Sequence, residues 1–93
     1  MNRKVLVRTY SAGVHFGTLK ARKGKEIELT NARRIWRWYG ANTLHEVALH
    51  GVDVLRSRIS EPVKSIILTE AIEVLPITAS AAKVLESVKW SAE

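Results

Sequence analysis

Glu26-Ile-Glu-Leu-Thr-Asn-Ala-Arg-Arg-Ile-Trp-Arg-Trp-Tyr-Gly40 is the stretch on which the fold turns. Up to Thr30 it alternates charged residues with Ile27 and Leu29, as a strand with one wet face does. Thr30-Asn31-Ala32 interrupts the alternation as a bulge or a tight turn, and an aromatic strand then runs to Tyr39 and ends at Gly40. At the two-residue period of that strand, Arg34, Trp36 and Trp38 point one way while Arg33, Ile35, Arg37 and Tyr39 point the other. One face then carries guanidinium beside indole. Guanidinium forks bind phosphate bidentately and indoles stack on bases, so the face suits a planar anionic ligand such as a nucleotide. The competing reading places Trp36 and Trp38 in the core, since large aromatics are usually buried for hydrophobic reasons.

Outward from this stretch the elements follow from local pattern. Val5 to Tyr10 is rich in β-formers and is closed by Ser11-Ala12-Gly13, a hairpin signal. Val14 to Ala21 is the return strand, in which Gly17 marks a bulge or the close approach of another backbone. Thr43-Leu-His-Glu46 has capping-box spacing and starts a helix over Leu44 to His50 that Gly51 stops. Asp53 to Pro62 has little periodicity and reads as the most mobile connection. Val63 to Thr69 and Ala71 to Leu75 are apolar strands, with Thr69-Glu70 as a bend or a polar interruption. Thr78 caps a last helix whose Ala81, Val84, Leu85 and Val88 form one stripe that packs on a sheet. The expected architecture is α+β, a mainly antiparallel sheet with two short helices in the order β-β-β-β-α-β-β-α, within one domain over residues 1–93.

Composition narrows the classes. The 93 residues, 46% hydrophobic and 26% charged, suit one folded domain with one modest core. The net charge of +6 is uneven, because residues 1–40 hold ten Lys and Arg against only Glu26 and Glu28. Such a half attracts anionic partners, although a basic surface also serves solubility alone. Cysteine is absent, which fits a reducing compartment. No apolar run approaches the roughly 20 residues of a membrane span, and the start of the chain lacks a cleavable leader pattern, so a cytoplasmic protein is expected.

Catalytic patterns are weak. His45-Glu46 and His50 resemble a zinc-protease helix, but histidines five apart lie about 140° round the helix from one another instead of sharing a face. There is no nucleophile elbow and no recognised phosphate loop. Glu70 and Glu73 face opposite sides of a strand. The expectation is a protein that is not an enzyme and that uses neither cofactor nor metal. The candidate binding residues are Arg34, Trp36, Trp38, Arg33, Arg37 and Tyr39, joined by His15 and Tyr10, with Lys20 and Arg22 able to add to the surface. The free N–H groups at the helix start near Thr43 could also attract a phosphate.

Three stretches, Tyr10 to Leu19, Leu29 to Ala41 and Ile67-Leu-Thr-Glu-Ala-Ile-Glu-Val-Leu-Pro76, resemble a family of small uncharacterised proteins from phages and prophages. The resemblance implies a compact protein made in an infected bacterial cell, and it brings no catalytic residues. Proteins of that kind often act by stoichiometric binding. The preferred expectation is a homo-oligomer sequestering an anionic nucleotide such as an immune signal. The alternatives are a single-stranded nucleic-acid binder, a phage structural or assembly component, and an inhibitor of a host protein.

Overall fold

Both faces of the sheet are covered, which explains why its first strand reads as a continuous apolar run. A computed structural model describes residues 3–89. The elements are β1 (Lys4–Thr9), β2 (Val14–Lys23), β3 (Glu26–Arg37), α1 (Leu44–His50), β4 (Arg58–Ile59), β5 (Val63–Leu68), β6 (Ala71–Pro76) and α2 (Ala79–Ser87). The class is α+β, with all six strands in one antiparallel sheet. β1, β2 and β3 form a meander, β6 adds beside β1, and the far side of β3 is shared by β5 and β4. Within β1, Leu6 faces α1 and α2 in a cluster with Phe16, Ile35, Ile59, Val47 and Leu85. Val5 and Val7 face the other way, into a cluster with Leu19, Ile27, Leu29 and Leu68.

The second cluster requires the sheet to curl. It takes Ile66 and Leu68 from β5 and Val74 from β6, strands that a flat sheet would hold about 19 Å apart. Curling brings the β2–β3 turn over the start of β6, where Ala71 N donates to Lys25 O at 3.0 Å. Each fully buried Leu or Ile in these clusters contributes about 2 kcal/mol.

Two differences from the sequence expectation matter for the site. What reads as two successive strands is the single β3, and Asn31 is a bulge inside it: Phe16 faces Arg33 and Thr18 faces Thr30, so β3 has one extra residue there. Asn31 takes the left-handed conformation, φ 50°, which Asn tolerates better than most residues. The extra residue reverses the side-chain alternation, so Ile27 and Leu29 fill the curl while Arg33 and Ile35 turn toward the helices. Gly17 lies beside this bulge, where a Cβ would sit 3.1 Å from Thr30 O and 3.2 Å from Ala32 Cα. The close backbone approach read from the sequence is therefore present.

The second difference is the segment expected to be the most mobile connection. It contains β4, and both Ser57 and Ile59 are buried. The observed order is thus β-β-β-α-β-β-β-α. Both helices begin at the expected caps, with Thr43 accepting from Glu46 N and Thr78 from Ala81 N. Among the described residues no helix is long and apolar enough to cross a membrane.

Candidate functional site

The end of β3 and the β4 segment form a corner held by small polar side chains. Arg34 N donates to Ser60 Oγ and Ser60 N to Arg34 O, both at 2.8 Å. Tyr39 N donates to Ser57 Oγ at 3.0 Å, Asp53 N donates to Tyr39 O at 2.8 Å, and Asp53 Oδ1 accepts from the N–H groups of Leu55 and Arg56. These are the local bonds by which Asp and Ser replace a regular ladder. Asp53, Ser57 and Ser60 were the sequence signal for this order, and it is visible only once their backbone partners are known.

A further bulge sets the faces of the aromatic residues. Ile35 lies opposite Ile59 and Arg37 opposite Arg58, so β3 again has one residue too many, around Trp36. The slip parts the two indoles that simple alternation places together. Trp36 is 41% exposed with the Arg37 guanidinium 5.9 Å from its ring centre. Trp38 is partly buried against the cluster of Ile35 and Val47 and supports the fold. Tyr39 remains at the surface under Arg56, whose guanidinium lies 4.4 Å from the ring centre.

Arg34 and His15 face one another across β2 and β3. They line a cavity of about 260 Å³ with Ala32, Ser60, Val63 and Ile66. His15 is only 2% exposed. Its Nε2 lies 3.5 Å from Arg34 Nε, a long contact in which the imidazole accepts. That assigns the proton to Nδ1, which has no hydrogen-bond partner among the described residues. Burial first, and then the Arg34 charge, lower the His15 pKa from 6.5 to about 4, so the ring is neutral at neutral pH.

This shift has a sign for stability. Between about 4 and 6.5 the unfolded chain binds a proton at His15 that the folded chain refuses. Stability is therefore full above 6.5 and falls as pH drops toward 4. Urea unfolding across this range should show His15→Asn losing about 3 kcal/mol less than the parent protein. Equal losses in the two proteins would mean that the imidazole is not sealed from water.

Other expected site residues lie elsewhere. Arg33, 8% exposed, is turned inward: Nε donates to Ser60 O at 2.7 Å, Nη2 to Val88 O at 2.7 Å and Nη1 to Leu85 O at 3.4 Å. Its guanidinium satisfies carbonyls at the end of α2 and presents no fork to a ligand, because the Asn31 bulge rotates it to the helical face. Burial depresses its pKa, partly offset by Glu86. Tyr10, 79% exposed, lines a separate groove with Lys25, Glu70 and Ile72. Lys20 is paired with Glu28 at 3.6 Å, and Arg22 lies on the far half of β2 opposite Ile27. At the start of α1 the Glu46 carboxylate accepts from Asn42 N at 2.6 Å, which places a negative charge where a phosphate was expected.

The electrostatics of the corner are one-sided. The ion pairs among the described residues are Lys4–Glu86, Arg8–Glu73 and Lys20–Glu28, so Arg34, Arg37, Arg56 and Arg58 have no carboxylate partner there. Arg56, Arg58 and Ser60 are additions that the sequence pattern did not single out. No group of three His, Asp or Glu residues among those described is placed to hold a metal ion.

Over residues 2–85 the chain matches a protein family whose description is Domain of unknown function (DUF6948). No curated protein and no solved structure matches it.

Proposed function

We propose that this chain, which belongs to the family described as Domain of unknown function (DUF6948), is a non-catalytic binding protein for an anionic nucleotide. The observation that carries the reading is the cavity that Arg34 lines with the buried, neutral His15, Arg34 having no carboxylate partner among the described residues. Its guanidinium fork complements a phosphate, and the neutral imidazole, which accepts from Arg34 Nε, orients that side chain without adding to the positive charge to be desolvated. Trp36, two residues along β3, supplies an exposed ring for a base. In the setting implied by the phage resemblance, the protein would act in the cytoplasm of an infected bacterium. It would sequester a signalling nucleotide, with a second copy of the chain closing the open side of the cavity.

Single-stranded nucleic acid is the second reading. It is favoured by the openness of the corner, where Trp36 and Tyr39 both lie at the surface beside arginines from β3 and the β4 segment.

The direct test is to denature the purified protein and identify released nucleotide by mass spectrometry, alongside a melting assay against a nucleotide panel. A bound ligand raises Tm progressively with its concentration. Arg34→Ala and Trp36→Ala should each weaken binding roughly tenfold to a hundredfold with the fold intact, given about 1–3 kcal/mol per charge-assisted bond or stacked base. Trp38→Ala should instead lower Tm. Silence across the panel, with tight binding of an oligonucleotide that weakens steeply with salt, would favour the second reading.

A further inference from the structure

Resting on the nucleotide-binding reading, we infer that the corner holds two phosphate subsites one nucleoside apart, so that its ligand carries phosphates on both sides of a single nucleoside. The first subsite is Arg34 with His15 and Ser60, already described. The second is the pair Arg37 and Arg58, which face each other directly in the β3–β4 register. Like charges directly opposite on adjacent strands destabilise a sheet, and neither guanidinium has a carboxylate partner among the described residues. One Arg58 N–H reaches Ser57 O at 3.4 Å, and an anionic phosphate between the two side chains offsets their repulsion and accepts from the remaining N–H groups of both forks.

Register fixes the separation and the face. Arg34 pairs with Ser60 through two backbone-directed bonds, Ile35 with Ile59, and Arg37 with Arg58. From Arg34 to Arg37 the partner strand thus advances by two residues, since the bulge absorbs one residue of β3. Ile35 and Ile59 are buried on the helical side, so the residues before and after them turn to the opposite side together. Two extended residues span about 6.6 Å through six backbone bonds. The chain from one phosphorus to the next across a nucleoside also has six bonds. Trp36, extruded by the bulge between the two subsites, is placed to stack on the intervening base.

This geometry separates ligands that charge alone does not. A nucleoside triphosphate concentrates its charge on one side of the sugar and reaches one subsite. A nucleoside 3′,5′-bisphosphate reaches both, as does each nucleoside of a cyclic dinucleotide or of a single strand.

The test is calorimetric titration of the protein with adenosine 3′,5′-bisphosphate, ATP and AMP at one fixed moderate salt concentration. The bisphosphate is expected to bind at least about tenfold more tightly than ATP, because a second set of charge-assisted bonds is made. The double variant Arg37→Ala, Arg58→Ala should erase that advantage while its melting curve remains cooperative. ATP binding as tightly as the bisphosphate, or an advantage that persists in the double variant, overturns the two-subsite inference and leaves the nucleotide reading standing. Absence of binding by all three, and by the cyclic di-AMP and oligo(dA) titrated beside them, overturns both. Cyclic di-AMP and a short oligo(dA), titrated in parallel, identify which source of the shared chemistry the corner prefers.

Discussion

Arg33→Ala is expected to destabilise the protein by about 4 kcal/mol, the largest effect of any single truncation of a basic residue in this chain. The side chain is buried and donates to three main-chain carbonyls, two from the end of α2 and one from Ser60. Helix ends leave carbonyls without intrahelical partners, and a guanidinium is the side chain that can satisfy several at once. Truncation removes all three bonds, leaves acceptors facing a void, and unties α2 from β3 and from the β4 segment. Arg33→Lys keeps the charge without the fork and should recover about half of the loss. Denaturant unfolding of the three proteins checks this, read as a shift in midpoint at constant slope. A loss below about 1 kcal/mol for Arg33→Ala, accompanied by weaker ligand binding, would return Arg33 to the binding surface.

Gly51→Ala is expected to cost about 3 kcal/mol for two separable reasons. Gly51 closes α1 by donating from its N–H to Val47 O at 2.8 Å, and does so at φ 85° and ψ −153°, a region that side chains avoid. A Cβ there would also lie 2.6 Å from Val84 Cγ1 and 2.7 Å from Val84 Cβ, because α2 crosses at that point. Val84→Ala in the Gly51→Ala background removes the Cγ1 contact but keeps the Cβ, so it should restore part of the steric loss and leave the rest together with the backbone strain. Thermal melts of both single variants and the double variant measure the part that is relieved. Purely additive losses would show that α1 and α2 do not meet at this glycine.

These two residues mark the limits of what sequence pattern reveals. Gly51 was legible as a helix stop, since a capping box and a glycine enclose a short apolar pattern, and the same holds for Thr78 at the start of α2. The glycine's contact with Val84 was not legible, because it joins residues 33 positions apart through the docking of two helices. Arg33 sits in a run of arginines that local chemistry treats alike. Its burial follows from the Asn31 bulge, which the sequence offered as a bulge or a tight turn without deciding between them or saying which face would meet the helices.

The site shows the same division. Arg34 stayed exposed as read from alternation, because only the Asn31 bulge precedes it, and Trp36 stayed exposed as the residue that the second bulge extrudes. Trp38 lies past the second bulge and joined the core. His15 and Arg34 were brought to one cavity by the β2–β3 register, whereas Tyr10, at the end of β1, went to another groove. The Asp53 to Pro62 segment lacked periodicity because its order comes from side chain to backbone bonds, which leave no alternation to read.

The amino-acid sequence by itself determined the α+β class, the starts of both helices and the stop of the first, and the concentration of arginine and aromatic residues in one strand, because propensity, capping and turn chemistry act over a few neighbours. Only the tertiary structure decided which of those arginines face a ligand and which hold a helix. A side chain's face depends on how many residues the adjacent strand leaves unpaired, and a slip of a single residue reverses it.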